Sequence, residues 1–401
     1  MEGDALTFAE FLARNSRNFL IDEVFPEFGT ARVRYKDCLS FDFASTRKEV
    51  YAHCGAMPQV VQRGVPLFED MIRRDFTVNA LALSVNVPGR VVDYCNGIAD
   101  IEAGLIRVLH PASFYEDPSR ILRAYKFAAR FGFSFSPETQ RLLNLFLKHG
   151  AQGYKGGGER IRYELSEFLA VEASNHKNRW LAHFIEHHGL RLINMELGHQ
   201  SLAAVDCKRL LAAAPGIFLL QETIAEFQDT NTLFVMYLCM MFQDLPDDVT
   251  AQCIRRLGLT REETHAVECY RKLHRENRFL RLKEFSPPPE IYALFHDVPL
   301  ASIGVALMDA GNDEPARFKM LLDAFKTYKR KWEHLAVELN GNDLIDLGVP
   351  KGRLVGDMLK KLLNAKLNGR VVDRMTEVHF VRQTLEEEAS QSEEADHATE
   401  S

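Results

Sequence analysis

Two hydrophobic patterns follow one another along this chain of 401 residues. In residues 5–19 the apolar side chains recur near helical spacing, which predicts an amphipathic helix. Thr30–Tyr35 and Leu39–Ala44 are strand-like runs joined by a short turn, and together they predict a hairpin. Alternation along the second run places Asp42 on the face opposite Phe41. The first part of the chain should therefore mix helices and strands.

After Pro66 the pattern becomes helical, with one interruption. Residues 82–87 and 90–94 form a second pair of strand-like runs, turned by Pro88-Gly89. From Phe114 onward almost every apolar repeat has helical spacing, with glycine- and proline-rich breaks that suggest boundaries near residues 150 and 285. The predicted fold class is α+β, with a small N-terminal head that contains a sheet and a mostly α-helical remainder.

Composition narrows the class of protein. Hydrophobic residues make up 46% and charged residues 26% of the chain, the balance of a soluble globular protein. No apolar run approaches the length of a membrane span, and residues 1–4 do not begin a basic and then apolar leader. The 7 cysteines include no Cys-x-x-Cys pair, which favours reduced thiols over disulfides or a zinc site. We expect a cytoplasmic protein without membrane contact.

The net charge of -7 is concentrated at the C-terminus. Residues 386–401 contain seven acidic residues and no Lys or Arg, so this tail is expected to be disordered and the rest of the chain is neutral overall. Any nucleic-acid contact must then come from local basic clusters. Three stretches qualify, residues 271–283, 326–331 and 351–374, although each by itself is typical of a solvated helix face.

The string with the most specific chemistry is residues 73–80, Arg-Arg-Asp-Phe-Thr-Val-Asn-Ala. Arg73 and Arg74 offer two rigid donor forks that suit phosphate oxygens. Asp75 and Asn79 are four residues apart, so on a helix they would share one face and could reach a ribose or orient the arginines. Taken alone, the string is more typical of a surface helix that Asp75 caps.

A second string, residues 116–123, opens a helix with the sequence Glu-Asp-Pro-Ser-Arg-Ile-Leu-Arg. Asp117 before Pro118 suits a helix N-terminus, which is the purely structural interpretation. Asp117 and Arg120 are also three residues apart, so on one helix face they could address a single flat ligand. An acceptor beside a donor fork complements cytosine and adenine, which each present an amino group next to a ring nitrogen. Guanine and uracil present the opposite order.

In their order along the chain these strings resemble class II CCA-adding enzymes (tRNA nucleotidyltransferases) and bacterial poly(A) polymerases. The resemblance also takes in further segments: residues 28–31, 42–49, 55–58, 93–107, 158–164 and 339–348. It implies a template-independent enzyme that adds CMP and/or AMP from CTP or ATP to the 3′ end of tRNA. The implied domains are a partial nucleotidyltransferase head (1–85), a base-recognising neck (86–155), a helical body (156–285) and an RNA-binding tail (286–385) before the acidic tail (386–401).

The resemblance implies roles for particular residues. The triphosphate and ribose of the nucleotide would be held by Arg73, Arg74, Asp75 and Asn79. Its base would be read by Asp117 and Arg120, with Arg123 in the same nucleotide-binding set. The neck would be supported by Glu116, Glu159, Arg160 and Glu164.

The metal site of such an enzyme is expected to be incomplete here. The family carries an Asp-x-Asp pair on a strand after a Gly-Gly loop, directly before a segment like residues 2–5, and residues 1–100 contain neither feature. Phosphoryl transfer needs two metal ions held by clustered carboxylates. Asp42 would be the third catalytic carboxylate and one ligand of an incomplete Mg²⁺ site, with Glu49 as its rival. An upstream start codon and a real truncation are both open explanations, and a missing strand would leave a less stable head.

Two functions from different classes follow. The first is an enzyme that adds CCA, CC, A or a poly(A) tail, and the second is a catalytically inactive remnant that binds RNA or nucleotides. Two other patterns are weaker. His183, His187 and His188 are typical of partly exposed histidines at a helix end rather than of a metal site, and the isolated dyad His296-Asp297 is insufficient for an HD phosphohydrolase.

Overall fold

The computed structural model describes residues 1–36, 38–151, 154, 156–175, 178–198, 207–283, 286–311 and 314–399. The chain divides into two compact units, Met1–Thr264 and His265–Ser401. The predicted α+β class, with a small N-terminal sheet head before a mostly helical remainder, is confirmed. Among the described helices none is long and apolar enough to cross a membrane singly, while the bent pair Pro288–Phe295 and Leu300–Gly311 reaches that length and composition together.

The head begins with one helix packed on a three-stranded antiparallel sheet. Helix α1 (Ala5–Asn15) covers strands β1 (Phe19–Phe25), β2 (Thr30–Tyr35) and β3 (Leu39–Ala44), which lie in that order. Ala9, Ala31 and Val33 form the buried centre of this layer. The predicted helix and hairpin are thus confirmed, although the helix ends at Asn15 because Phe19 already belongs to β1.

Short two-stranded sheets complete the head. Strands β4 (Arg47–Val50) and β5 (Gln59–Arg63) pair antiparallel, as do β6 (Leu81–Leu83) and β7 (Val91–Asp93). The pair β6–β7 confirms the predicted strands around Pro88-Gly89, but residues 85–87 lie outside them because the Ser84 hydroxyl accepts the Val87 N–H at 3.0 Å and closes a turn. Helix α2 (Leu67–Ile72) lies between β5 and β6 in the chain, and helix α3 (Gly97–Glu102) follows β7.

Residues 73–80 are not one helix, contrary to the helical face predicted for Asp75 and Asn79. Helix α2 ends at Ile72, and Thr77–Asn79 forms a separate 3-10 turn. Thr77 fixes this turn, because its N–H donates to the Arg107 carbonyl oxygen at 3.0 Å and its hydroxyl donates to Asp100 at 2.7 Å. A Cβ atom on Gly97 would lie 2.3 Å from the Thr77 carbonyl oxygen, so glycine is required there.

Helices make up the rest of the first unit. Strand β8 (Leu105–Ile106) pairs in parallel with β9 (Ser134–Phe135). The helices are α4 (Ser113–Glu116), α5 (Ser119–Phe131), α6 (Pro137–Leu145), which continues as a π turn to Gly150, α7 (Gly158–Asn175), α8 (Arg179–Glu186), α9 (Cys207–Thr223), α10 (Thr230–Phe242) and α11 (Asp247–Leu257). Helix α5 packs along α7, and α10, buried from Leu233 onward, also packs on α7. This packing holds α5 and the start of α7 side by side.

The described residues of the second unit form helices and loops, without a strand. Helix α12 (Arg261–Arg275) leads into α13 (Pro288–Phe295), α14 (Leu300–Gly311), α15 (Pro315–Lys331), α16 (Gly341–Asp346), α17 (Arg353–Leu367) and α18 (Arg374–Thr399). Asn340 starts α16 with a reciprocal capping box to Asp343. Fully buried Glu377 accepts the Leu339 N–H at 2.8 Å and the Lys366 ammonium at 2.7 Å, which ties α17 and α18 to this cap. The predicted domain limits, including an acidic tail from residue 386, stay predictions.

Candidate nucleotide-binding site

An open cleft of about 570 Å³ lies in the first unit. Its charged lining consists of six arginines and four carboxylates: Arg47, Arg73, Arg74, Arg120, Arg123, Arg160, Glu49, Asp75, Asp117 and Glu164. Its remaining lining residues are Tyr51, Pro58, Asn79, Ser119, Phe127 and Tyr163. All seven residues predicted to bind the nucleotide are therefore brought together, although they come from separate parts of the chain.

A buried carboxylate fixes the two adjacent arginines. Asp70 is 4% exposed and accepts hydrogen bonds from Arg73 Nη2 at 2.6 Å and from Arg74 Nη2 at 3.1 Å. Burial alone would raise the pKa of Asp70, but the hydrogen bond and the charge of Arg73 outweigh it, and the pKa lies below its ordinary value. Asp70 is thus a carboxylate that orients both forks.

Glu49 fixes the same fork from another side. Its two oxygens accept from Arg73 Nη1 at 3.2 Å and from Arg47 Nε at 2.6 Å, and its side chain is only 3% exposed. Arg73 Nε also donates to the Arg47 carbonyl oxygen at 3.1 Å. The Arg73 guanidinium is therefore held at all three nitrogens before any ligand binds.

Asp75 and Asn79 do meet, across the 3-10 turn. Asn79 Nδ2 donates to Asp75 Oδ1 at 3.1 Å. The other Asp75 oxygen accepts from Arg123 through Nε at 2.8 Å and Nη2 at 2.6 Å, while Arg123 Nη1 donates to Glu164 at 3.0 Å. Burial would lower the pKa of Arg123, but Asp75 and Glu164 raise it on balance. Arg123 therefore joins the turn of residues 77–79 to helix α7.

Arg120 is buried beside the cleft, with 5% of its surface exposed. Nη1 donates to the Ser113 hydroxyl at 2.9 Å, and Nη2 donates to the Arg73 carbonyl oxygen at 2.9 Å. The second contacts of these nitrogens are longer, 3.4 Å each, to the Ser113 carbonyl oxygen and to the Tyr51 hydroxyl. The guanidinium is thus held on two sides by short hydrogen bonds.

Asp117 lies one helical turn before Arg120, and it is also buried. One oxygen accepts from the Ser119 N–H at 3.1 Å and the Ser119 hydroxyl at 2.6 Å, so the carboxylate caps the start of α5 as its sequence predicts. The other oxygen accepts from Arg160 at the start of α7. Helices α5 and α7 together therefore set the direction of this carboxylate.

Some predicted residues lie elsewhere. Asp42 projects from the exposed face of β3, where its side chain is 58% exposed and pairs with Arg32 at 2.8 Å; it does not line the cleft, whereas its rival Glu49 does. Glu159 is exposed at the start of α7 and is also outside the lining, and Glu116 lies 3.6 Å from Arg120. The catalytic role of Asp42 stays a prediction.

The described residues do not by themselves fit a two-metal centre. Within the described ranges no three or more His, Cys, Asp or Glu side chains are grouped so that they could hold a metal ion. The carboxylates that line the cleft are each paired with arginine, as in Glu49 with Arg47 and Asp75 with Arg123. The incomplete metal site stays a prediction.

Several residues of the site were missed in the sequence. Arg47, Tyr51, Asp70 and Ser113 contact the predicted residues, but none of the four was assigned a role from the sequence. Asp70 did carry a signal, since it stands three and four residues before the two arginines, a spacing that brings charges together on a helix. Ser113 carried none, because its contact depends on how α4 meets α5.

A second groove, of about 850 Å³, lies in the second unit. Arg278, Arg281 and Lys283 line it beside apolar Leu282 and Leu294. Arg278 donates to the Ala293 carbonyl oxygen, and Glu290 is the carboxylate among the described residues that line the groove. This groove contains the end of the predicted basic stretch 271–283.

Comparison with known proteins agrees with this geometry. Residues 2–107 match the model of the poly A polymerase head domain. The chain is 28% identical over 390 residues to an A-adding tRNA nucleotidyltransferase of Geobacter sulfurreducens, covering 95% of this chain and 42% of that protein. It is 42% identical over 193 residues to the A-adding tRNA nucleotidyltransferase of Aquifex aeolicus, covering 46% of this chain and 23% of that protein. The chain thus spans less than half the length of these curated relatives.

Solved structures are similar over most of the chain. A complex of CCA-adding enzyme with ATP is 26% identical with a TM-score of 0.70, covering 96% of this chain and 84% of that chain. A tRNA-processing enzyme complex is 27% identical with a TM-score of 0.63, covering 92% and 90%. The fold and the cleft define a nucleotidyltransferase head with a helical body. The chain is thus similar to CCA-adding enzymes over most of its length and to the poly A polymerase head domain over residues 2–107, in agreement with the resemblance that its motifs carry.

Proposed function

We propose that this chain binds ATP and/or CTP and tRNA as part of a template-independent nucleotidyltransferase. The reaction adds AMP and/or CMP to the 3′ end of tRNA and releases pyrophosphate. One observation carries the proposal: the Asp117–Arg120 pair opens into the same cleft as the arginine forks of Arg73 and Arg74. The two curated relatives are both A-adding tRNA nucleotidyltransferases, which supports AMP addition in particular.

The base would be selected by Asp117 and Arg120. Each Arg120 terminal nitrogen has one short hydrogen bond and one contact of 3.4 Å, and the longer contacts are the ones that a base nitrogen can replace. A carboxylate oxygen has more than one lone pair, so Asp117 can accept an exocyclic amino group while Arg160 stays bound. The Asp117–Arg120 pair can then form hydrogen bonds with adenine or cytosine. Guanine and uracil present their donors and acceptors in the opposite order and would leave these groups without partners.

The triphosphate would be held by Arg73 and Arg74. Their side chains are 23% and 43% exposed, so both forks can reach a ligand in the cleft while Asp70 restrains them. Preorganised positive charge of this kind stabilises the negative charge that develops on a phosphoryl group without further reorganisation. Asn79 and Asp75, which are already bonded to each other, would contact the ribose.

Mg²⁺ is the proposed cofactor, since it neutralises charge on the leaving phosphates in phosphoryl transfer. The described residues lack the carboxylate cluster for it, so this chain would require ligands from outside them. Asp42 would supply one further carboxylate.

The tRNA would contact the basic groove of the second unit. Arg278, Arg281 and Lys283 outnumber Glu290 among the charged residues that line this groove. Phosphate contacts of such cations supply most sequence-independent affinity for nucleic acid. The neutral overall charge of the body makes such a local cluster necessary.

Nucleotide binding to the chain tests the first part of the proposal. ATP and CTP should raise the unfolding temperature more than GTP and UTP at equal concentration, because only a ligand that binds the folded state stabilises it. Equal shifts for all four nucleotides would contradict base selection in this cleft. Labelled extension of a tRNA that lacks its 3′ end, by this chain alone with Mg²⁺, would contradict the incomplete metal site.

A poly(A) polymerase is the second candidate, because the head domain matches that family model. The two reactions are separated by the product: a few nucleotides on tRNA, or a long AMP tract on any RNA end.

A further inference from the structure

We propose that Ser113 determines nucleotide specificity by positioning the guanidinium of Arg120. The inference rests on the proposed function, since it assigns a new residue to the same base-reading pair. Ser113 does not line the cleft and is 0% exposed, so it acts through Arg120 rather than by contact with the nucleotide.

The contact between the two side chains is short and fully buried. Arg120 Nη1 donates to Ser113 Oγ at 2.9 Å, from the first turn of α5 to the first residue of α4. On the other side, Nη2 donates to the Arg73 carbonyl oxygen at 2.9 Å. These two hydrogen bonds, one at each terminal nitrogen, hold the planar guanidinium in one orientation.

The two bonds are not equivalent. The Arg73 carbonyl oxygen belongs to the backbone at the end of α2, so no side-chain substitution removes it. Ser113 Oγ is a single side-chain atom, and without it Nη1 keeps only two longer contacts, 3.4 Å to the Ser113 carbonyl oxygen and 3.6 Å to Glu116 Oε2. The guanidinium could then turn about its remaining bond to Arg73.

The orientation of the Arg120 guanidinium matters because the choice of base depends on where its N–H donors lie relative to the Asp117 carboxylate. An arginine fork that is held beside Asp117 presents a donor next to an acceptor, which suits adenine and cytosine. An arginine fork that is free to turn suits guanine, whose O6 and N7 accept a bidentate pair. Ser113 therefore excludes guanine by preventing that rotation.

The test compares dissociation constants of the four nucleoside triphosphates for the purified chain by titration calorimetry. Ser113→Ala should lower the ratio of the GTP to the ATP dissociation constant by about tenfold, the effect expected of one hydrogen bond to a charged group. Affinity for inorganic triphosphate should change less than about twofold, because Arg73 and Arg74 are untouched. Ser113→Thr, which keeps the hydroxyl, should restore the ratio, and Ser113→Cys, with a weaker acceptor, should fall between.

Ser136→Ala is the matched control. Ser136 is also a 0% exposed serine of the first unit, it caps α6 through the Thr139 N–H at 3.2 Å, and it does not line the cleft. It should lower stability without changing the GTP to ATP ratio. An unchanged ratio in Ser113→Ala, or an equal change in Ser136→Ala, overturns the role of Ser113 alone. No preference for ATP or CTP in the unaltered chain overturns the proposed function as well.

Discussion

The guanidinium of Arg120 donates a 2.9 Å hydrogen bond to the backbone carbonyl oxygen of Arg73. Arg120 belongs to the base-reading pair, and the side chain of Arg73 belongs to the phosphate-binding pair. One hydrogen bond thus joins the two halves of the proposed nucleotide site. Because the Arg73 guanidinium is itself held by Glu49 and Asp70, the halves form one connected network rather than two independent pockets.

Base selection should fail when either member of the reading pair is removed. We expect Asp117→Ala and Arg120→Ala to reduce discrimination against GTP and UTP by about tenfold or more, since each leaves one base group without its partner. Nucleotide-dependent shifts in unfolding temperature measure this. Glu159→Ala, exposed and outside the cleft lining, is the control. Full discrimination in both cleft variants would contradict the base-reading role.

Asp70→Asn should weaken both the stability of the first unit and its triphosphate binding. The amide cannot match the charge of Arg73 and Arg74, and we expect a loss of about 2 kcal/mol at neutral pH because Glu49 still pairs with Arg73. Urea unfolding of both proteins gives this difference directly.

The same variant has a pH signature. The folded state lowers the pKa of Asp70 from its ordinary 3.8, against its burial, through the hydrogen bond and charge of Arg73. Its stabilising contribution is therefore present above pH 3.8 and is lost as the pH falls through the folded value. The stability gap between the two proteins should shrink below about pH 4. A gap that stays constant with pH would show that the loss arises from packing instead of charge.

Local patterns predicted local structure well, and contacts between distant segments poorly. The hairpin of Thr30–Tyr35 with Leu39–Ala44 follows from alternation and a short turn, because both depend on neighbours in the chain. The short 3-10 turn at Thr77 could not be read in this way, since Asp100 and Arg107 impose it from a later part of the chain. Helical spacing alone therefore gave the wrong geometry for Asp75 and Asn79, although the two side chains do lie together, joined by a hydrogen bond.

The same contrast between local pattern and distant contact applies to the residues of the candidate site. Motif resemblance found residues that line the cleft, such as Arg73 and Asp117, because their chemistry is visible in the sequence. It missed Asp70 and Ser113, which hold the guanidinium groups of Arg73 and Arg120. These contacts form only in the folded chain, so the family motifs did not mark the two residues.

The basic groove predicts a salt-dependent interaction with RNA. The measurement is a binding titration against tRNA at several salt concentrations. Replacing Arg281 and Lys283 together by Gln should reduce the magnitude of the slope of log affinity against log salt by about 1 to 2. The reason is that each phosphate that the protein neutralises adds roughly 0.7 to 0.9 to that slope. Arg14→Gln on α1, outside every basic stretch, controls for the general loss of charge. Equal slopes in the groove variant and the control would exclude this groove as a phosphate site.

His183 should make the first unit less stable in mild acid. Burial, and then the charges of His187 and Arg179, lower the pKa of His183 from 6.5 to about 4. Its Nδ1 lies 3.0 Å from the hydroxyl of buried Tyr125, so the neutral ring is the form that fits the folded state. A histidine with a depressed pKa contributes stability above its unfolded value, and this contribution falls away between pH 6.5 and about 4.

Because His183 is only partly buried, solvent screening reduces the expected loss to about 1 to 2 kcal/mol over that window. Urea unfolding of the chain and of His183→Gln at a series of pH values measures it, and the glutamine variant should lack this part of the pH dependence. His334→Gln is the matched control, since the His334 side chain is 91% exposed. If the chain and His183→Gln lose stability in parallel between pH 6.5 and about 4, protonation of His183 is not the cause.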